Sequence, residues 1–426
     1  MPGQTIAEKI FSRHVDHAVF ADEIVIADVD FVMGQDGTSP LAIKALAAMG
    51  FEDKVFDPDK VALVIDHSSP SPLEGVSALH QQMRAFSAAS GARLYDAGCG
   101  VCHQLLPERG HVVPGDLLVG CDSHTCTYGA INVFSTGVGS TDGAAAMATG
   151  KLWFKVPRTI KVVFTGTLPA GVFAKDLILY LAGQLGADGA TYEALEFSGS
   201  VIDALSVEAR MTICNMAIEL GAKAGLMVAD EKTLAWVAAH GDRAPRPATP
   251  DPDAVYERTV EIDVSDLAPQ IACPHTVDNV VALPDLPQTP IAEGVLGTCT
   301  NGRLEDFAIA AGIIAGHKLA PGVRLVVAPA SKDIFLDAIA AGYIQTFIEA
   351  GACIVTPGCG PCVGTHNGVP SDGENVISSA NRNFKGRMGN SNAFIYLGSP
   401  ATVAASVLAG HIADPRPYFQ EKEASL

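Results

Sequence analysis

The chain has 426 residues, 48% hydrophobic and 18% charged, with 42 glycines and 26 prolines, the composition of a folded globular protein of two or three domains with many turns, and it excludes wholesale disorder. Its 28 Lys+Arg against 47 Asp+Glu give a formal net charge of −19, which repels nucleic acid and anionic membranes, so an anionic ligand needs a local positive pocket. The N-terminus MPGQTIAEKIFSRHVD has no basic stretch followed by an apolar run, and no apolar segment reaches about 18 residues, so neither a signal peptide nor a membrane-spanning helix is expected and the expected compartment is the cytoplasm.

In chain order, short β-branched runs precede small or polar residues and then a helical pattern: VALVIDHSSP at 61–70, DLLVGCDSH at 116–124, GVLGTCTNG at 294–302 and ACIVTPGCG at 352–360. The alternation predicts a mostly parallel α/β fold, with ligands beyond the carboxyl ends of the strands. KVPRTIKV (155–162), where a helix-like segment stops at Pro157, and the proline-dense LPDLPQTP (283–290) divide the chain into 1–157, 158–288 and 289–426. GDRAPRPATPDPD (241–253) is expected as an exposed loop without chemistry. The ten cysteines of a cytoplasmic protein are poor disulfide candidates, and Cys214, Cys273 and Cys353 are expected as buried small apolar residues.

Candidate chemistry follows each strand. Asp66 and His67 end the first run; a carboxylate beside an imidazole makes an oriented acid or base, but adjacent side chains on a strand point oppositely, so the pairing requires a turn there. CGVCH, Cys99 to His103, has the spacing of c-type haem attachment, which goes with export and does not suit this chain; a buried loop or a polar site using His103 are the other readings. In CDSHTCT, Cys121 to Thr127, Asp122, Ser123 and His124 are neighbours, whereas a hydrolase triad converges from separate segments. The group suits a hydrogen-bonding surface around a polar ligand, or an Asx-type turn with capping residues. ARMTICNMAIELGA sets Asn215 and Glu219 four apart on one face of a predicted helix, either solvated or turned into a pocket.

Cys299 closes a predicted strand and opens a helical run in which Leu304, Phe307, Ala308 and Ala311 share a face. It therefore sits near a helix N-terminus, where free amides and the dipole favour negative charge. TPGCGPCVG, Thr356 to Gly364, holds Cys359 and Cys362 among glycines that let backbone amides approach a bulky anion. That spacing fits an iron–sulfur site, a zinc site with His366 as a further ligand, or a redox pair, and does not choose among them. SSANRNFKGRMGN, Ser378 to Asn390, concentrates Arg382, Lys385 and Arg387 in an acidic chain, a docking place for a di- or tricarboxylate or equally for phosphate.

Taken together, VGCDSHTCTYGA, TICNMAIELGA, LGTCTNGR, TPGCGPCVG and NRNFKGRMG, in that order from residue 119 to 389, with GQDGTSP, VIDHSSP and VCHQLLPERG upstream, resemble the aconitase superfamily, most closely the large subunits of its isopropylmalate dehydratase and homoaconitase group. The resemblance implies a three-domain α/β hydro-lyase with one 4Fe–4S cluster held by Cys299, Cys359 and Cys362, its fourth iron lacking a protein thiolate and free to act as a Lewis acid on a hydroxyl. By motif position it implies His67, backed by Asp66, as the acid that protonates the departing hydroxyl. Gln35, His103, Asp122, Ser123 and His124 would line cluster and substrate, Asn215 and Glu219 would lie beside the open iron, Asn301 and Asn381 would neighbour the cluster, and Arg382 and Arg387 would hold a substrate carboxylate. Gln35 is aconitase-like where many isopropylmalate enzymes carry His, and Thr127 matches the dehydratase side.

The single-chain relatives continue into a swivelling domain that supplies a serine base; here the sequence stops at Leu426, so a separate small subunit is expected, in a heterodimer or heterotetramer. The expected substrate is a 2-hydroxy di- or tricarboxylate, 3-isopropylmalate first, with homoaconitate, citramalate or methylmaleate, and 2,3-dimethylmalate types behind it, and neither nucleic acid nor membrane is an expected partner. An iron sensor that binds RNA when its cluster is lost, and a zinc or thiol protein, are the alternatives of another class.

Overall fold

The structure, a computed structural model, describes residues 2–419. It is built on three principal sheets. In the first, five parallel strands run in the order Arg93–Tyr95, Val61–Val64, Phe31–Gln35, Leu117–Gly120, Phe134–Gly137. The second has four parallel strands, Ala224–Met227, Ala194–Ser198, Thr159–Thr165 and Arg258–Asp263. The third has seven, in the order Val280–Ala282, Gln270–Ala272, Phe394–Leu397, Asn375–Ser378, Glu293–Gly297, Arg324–Ala328, Cys353–Ile354; it is parallel except where Gln270–Ala272 meets its two neighbours. The sheet pairing therefore places the strands at 270–282, which precede residue 289, with the third sheet.

The inner strands Val61–Val64, Leu117–Gly120 and Glu293–Gly297 are buried at every position, as expected for parallel strands covered by helices on both faces. One apolar core joins the three sheets, from Met33 and Val64 through Tyr128, Phe164 and Met211 to Val295 and Val376, with Cys299 within it. No helix among the described residues is long and apolar enough to cross a membrane.

Several local expectations change. Before Pro157 the chain is not helical: a helix ends at Thr149 and Lys151–Lys155 is a strand, antiparallel to Ile24–Asp28, its alternating burial matching a ribbon with one face on the core. The 241–253 segment is the expected irregular, mostly exposed stretch, but it is tied to the core, because Arg243 donates to buried Asp116 at 2.8 and 3.2 Å and Ala248 exchanges hydrogen bonds with the Asn132 side chain. Of the cysteines expected inside, Cys214 is buried, Cys273 half-buried and Cys353 exposed, the last on a strand at the edge of its sheet.

Two close approaches fix the segments that carry the polar groups. Gly129, in the 3-10 helix Ser123–Ile131, packs so tightly on the strand Ala224–Met227 that a Cβ would overlap the Gly225 carbonyl. Gly358 lies where a Cβ would be 2.8 Å from the Asp66 carbonyl oxygen, and Cys359 donates its N–H to that same oxygen at 2.8 Å. The cysteine loop is thereby seated on the turn that carries Asp66 and His67.

Candidate active site

The strand Val61–Val64 ends two residues before Asp66, and the chain turns. The turn is held from below by Asp36, whose carboxylate accepts the N–H groups of Asp66, His67 and Ser68 at 3.1, 2.7 and 2.9 Å and bonds His80 Nε2 at 3.0 Å. With the backbone so folded, adjacent Asp66 and His67 do meet. His67 Nδ1 is 2.8 Å from Asp66 Oδ1, while Asp66 Oδ2 accepts the Cys102 N–H at 2.7 Å. The far nitrogen, His67 Nε2, is 3.2 Å from Asp122 Oδ2. Asp36 was missed in sequence; its signal was the QDG turn after the strand Phe31–Gln35.

Asp122 is a helix cap, as one reading of its motif had it, and also a centre of side-chain hydrogen bonds. It caps the 3-10 helix Ser123–Ile131 by accepting the His124 N–H at 2.9 Å, and the same carboxylate bonds His103 Nε2 at 2.8 Å and receives Gln35 Nε2 at 3.4 Å. His124 Nε2 lies 2.9 Å from Glu219 Oε1, which also accepts from Arg382 Nε at 2.7 Å. Ser123 Oγ is 3.4 Å from His124 Nδ1.

Burial alone would pull the His67 imidazole down, but the Asp66 charge and the hydrogen bonds to Asp122 and Asp66 outweigh it and hold His67 well above its ordinary value. Burial pushes Asp122 up, and the His103 charge with the hydrogen bonds of three histidines holds it well below. Glu219 is likewise lowered, burial being overcome by His124 and Arg382. A His67 held high beside an Asp122 held low favours the protonated imidazole, a group able to give up a proton.

Cys299, Cys359 and Cys362 are all buried and share one cavity with His67, His103, Asp122, Ser123, His124, Asn381, Arg382 and Arg387. Cys299 lies in a short helical turn, Thr298–Asn301, one turn before the helix Leu304–Ile314 rather than at that helix's own N-terminus. Its sulfur receives Asn215 Nδ2 at 3.4 Å and Asn381 Nδ2 at 3.6 Å. Arg387 Nη2 donates to Cys362 Sγ at 3.1 Å. The hydrogen bond from Cys359, with Arg387 beside it, brings the Cys362 thiol well below the usual range, while Cys359 rises and burial pushes Cys299 up to about 11.

Asn215 and Glu219 do not share a continuous α-helix: Val207–Asn215 ends at the asparagine and Met216–Leu220 is a 3-10 turn. The tighter turn carries Glu219 to His124 and leaves Asn215 on the Cys299 sulfur, so each bonds residues that line the cavity. Asn301 is not brought there: its amide bonds Thr212 Oγ1 at 3.2 Å and Asp306 Oδ1 at 2.9 Å on the far side of the Cys299 turn. Lys385 is exposed. Within CGVCH, Cys102 is buried and Cys99 half-buried, and neither lines the thiol cavity, whereas His103 does.

The donor set discriminates between the open readings of the three cysteines. Both ring nitrogens of His366 are occupied, Nδ1 by Thr365 Oγ1 at 2.9 Å and Nε2 by the Ser69 carbonyl at 2.8 Å, so it is turned away from a tetrahedral zinc site. Amide and guanidinium N–H groups aimed at sulfur serve thiolates and sulfides. Arg387 Nε and His103 Nδ1 are buried without a partner, which costs free energy unless an anion or another acceptor meets them. These residues fit an anionic metal–sulfur group better than a disulfide or zinc.

A parallel α/β scaffold with a buried three-thiol set facing a histidine–carboxylate acid and two arginines at strand ends defines an iron–sulfur lyase type of site. A sequence model of the aconitase family (aconitate hydratase) matches residues 8–293 and 285–410. The chain belongs to the aconitase family, and that membership implies an iron–sulfur cluster. It is 52% identical over 98% of its length to 3-isopropylmalate dehydratase large subunit 1 of Thermotoga maritima, covering 100% of that protein, and 49% identical over 98% of its length to the large subunit 1 of the same name from Methanopyrus kandleri, again covering 100%. With the corresponding large subunit of Elusimicrobium minutum the identity is 51%, over 97% of this chain and 99% of that one. A solved structure, the holo-form of Thermococcus kodakaraensis aconitase X, is 13% identical and superposes with a TM-score of 0.48 over 85% of this chain and 84% of the other.

Proposed function

We propose that the chain is the large, cluster-bearing subunit of a hydro-lyase that removes and re-adds water across 3-isopropylmalate. The observation that carries this reading is the single cavity in which His67, Asp122, three buried thiols and two arginines face one another, in a chain about half identical to large subunits of that name over nearly its whole length. Cys299, Cys359 and Cys362 would hold one 4Fe–4S cluster; when bound, its iron without a thiolate supplies a Lewis acid that makes hydroxide a tolerable leaving group.

The chain's own residues do the rest. Asp66 fixes the His67 ring and keeps its proton, so that Nε2 presents a proton to the departing hydroxyl at neutral pH. Arg382 and Arg387, the latter with an uncommitted buried Nε, hold substrate carboxylate, and Glu219 sets Arg382 in place. His124, Asp122, Ser123 and Gln35 shape the polar wall around the hydroxyl. A separate small subunit would close the cavity and supply the base that takes the proton from the adjacent carbon. The division at 157 belongs to the same proposal, whereas the one at 288 moves ahead of Gln270–Ala272, because the strands at 270–282 pair into the third sheet.

The test is anaerobic co-expression with the small subunit, followed by assay on a panel of alkylmalates, homoaconitate and citramalate with iron and sulfide analysis. Turnover of 3-isopropylmalate above the others, with about four irons per chain, is expected. Stoichiometric zinc, or salt-sensitive RNA binding by the apoprotein without lyase activity, would overturn the reading.

A further inference from the structure

Lys175, in the first turn of the helix Ala174–Leu185, is fully buried. Its ammonium donates to the carbonyls of Ser379 at 2.8 Å and Ala380 at 2.5 Å, and no carboxylate among the described residues forms an ion pair with it. Two acids are near enough to act on it, and neither takes it. Asp176 is committed to the N–H groups of Phe173 and Gln270, both at 2.8 Å, and Asp306 to Asn301 and the Arg303 N–H at 2.9 and 3.0 Å.

A buried cation without a counter-ion is costly. Burial pulls Lys175 down to about 7, and the charge opposing that pull most strongly is Cys362, ahead of Asp176, Asp306 and Cys299. The geometry puts the sulfurs on that side: the two carbonyls that Lys175 holds immediately precede Asn381, whose side chain bonds the Cys299 and Cys362 sulfurs. Three thiolates around an iron–sulfur core carry net negative charge, and hydrogen bonds and nearby charge set the potential of such a group. The carbonyls that Lys175 holds close the strand Asn375–Ser378 and lead directly into Asn381 and Arg382, one bonded to the sulfurs and the other to Glu219.

We propose that Lys175 is the buried counter-charge of the cluster held by Cys299, Cys359 and Cys362, and that through the Ser379 and Ala380 carbonyls it positions Asn381 and Arg382. This rests on the cluster reading above. Lys175 touches neither substrate nor the reacting atoms; it is a positioning and electrostatic residue, contributed, like Asn215 and Glu219, by the part of the chain that builds the second sheet.

The experiment compares wild type with Lys175→Met and Lys175→Gln as full chains with the small subunit, cluster reconstituted anaerobically. It reads the cluster's midpoint potential by an EPR-monitored redox titration and iron loss to a chelator. Removing a positive charge disfavours the more negative, reduced cluster, so both variants should titrate at lower potential and lose iron about ten-fold faster, the loss expected for a charge-assisted contact. Gln, which keeps a donor for the two carbonyls, should retain a substrate KM nearer wild type than Met does. Should Lys175→Met not fold, Lys175→Gln carries the comparison. Wild-type potential and iron retention in a folded variant would overturn the proposal. A wild type that takes up no cluster would instead overturn the cluster reading, and this inference with it.

Discussion

The proposed function gives His67 the role of acid. Because its folded value lies well above the unfolded one of about 6.5, its contribution to stability is fully present below pH 6.5 and is lost as pH rises through the raised value. In the proposed function the same proton is used in dehydration, so kcat should fall on the alkaline side as His67 deprotonates. Asp66→Asn removes the strongest raising charge and should move that alkaline limb to lower pH; a pH profile with an unmoved limb contradicts the assignment. His67→Ala should keep iron content and substrate binding and lose roughly 10²–10⁴ in rate, and a rate close to wild type removes its role as acid. The cysteines separate equally cleanly: Cys359→Ser should prevent cluster assembly, whereas Cys99→Ser, away from the thiol cavity, should leave iron and sulfide per chain unchanged.

Among the elements, the strand ends were legible because parallel strands buried on both faces write continuous β-branched runs, as at Val61–Val64 and Leu117–Gly120. What periodicity could not give was how turns aim side chains. Asn215 and Glu219 read as one helical face, yet the winding changes from α to 3-10 at Met216, and they bond different lining residues, Cys299 and His124. Lys175 and Asp36 were invisible for a related reason, since each acts on backbone groups distant in sequence, 204 residues away for Lys175 and Ser379. The 3-10 helix carrying Ser123 and His124 depends on its closest contact, Gly129 against the Gly225 carbonyl. Gly129→Ala cannot be accommodated by a side-chain rotation, because the obstacle is backbone, and should cost about 1–3 kcal/mol or more. Denaturant unfolding checks this, and a midpoint equal to wild type would show that the two segments separate freely.

The whole molecule presents one unfilled requirement. Removing water across a carbon–carbon bond needs an acid for the hydroxyl and a base for the proton on the next carbon, and the cavity supplies the first only. His67 already carries its proton. Asp122 is engaged by His67, His103 and the His124 N–H, and Glu219 by His124 and Arg382. A carboxylate whose pKa is lowered by such partners is a weak base, and the remaining cations, Arg382 and Arg387, bind anions. In the proposed function the base would therefore come from the small subunit, which would also complete the pocket for the substrate's alkyl group. With cluster content held equal, the isolated chain should therefore turn over 3-isopropylmalate at least about 10²-fold more slowly than the complex, the minimum a positioned base contributes. Titrating small subunit into reconstituted large subunit should restore the rate in proportion to complex formed; full activity in the rigorously purified chain would mean that one of its own engaged carboxylates exchanges partners and acts as the base.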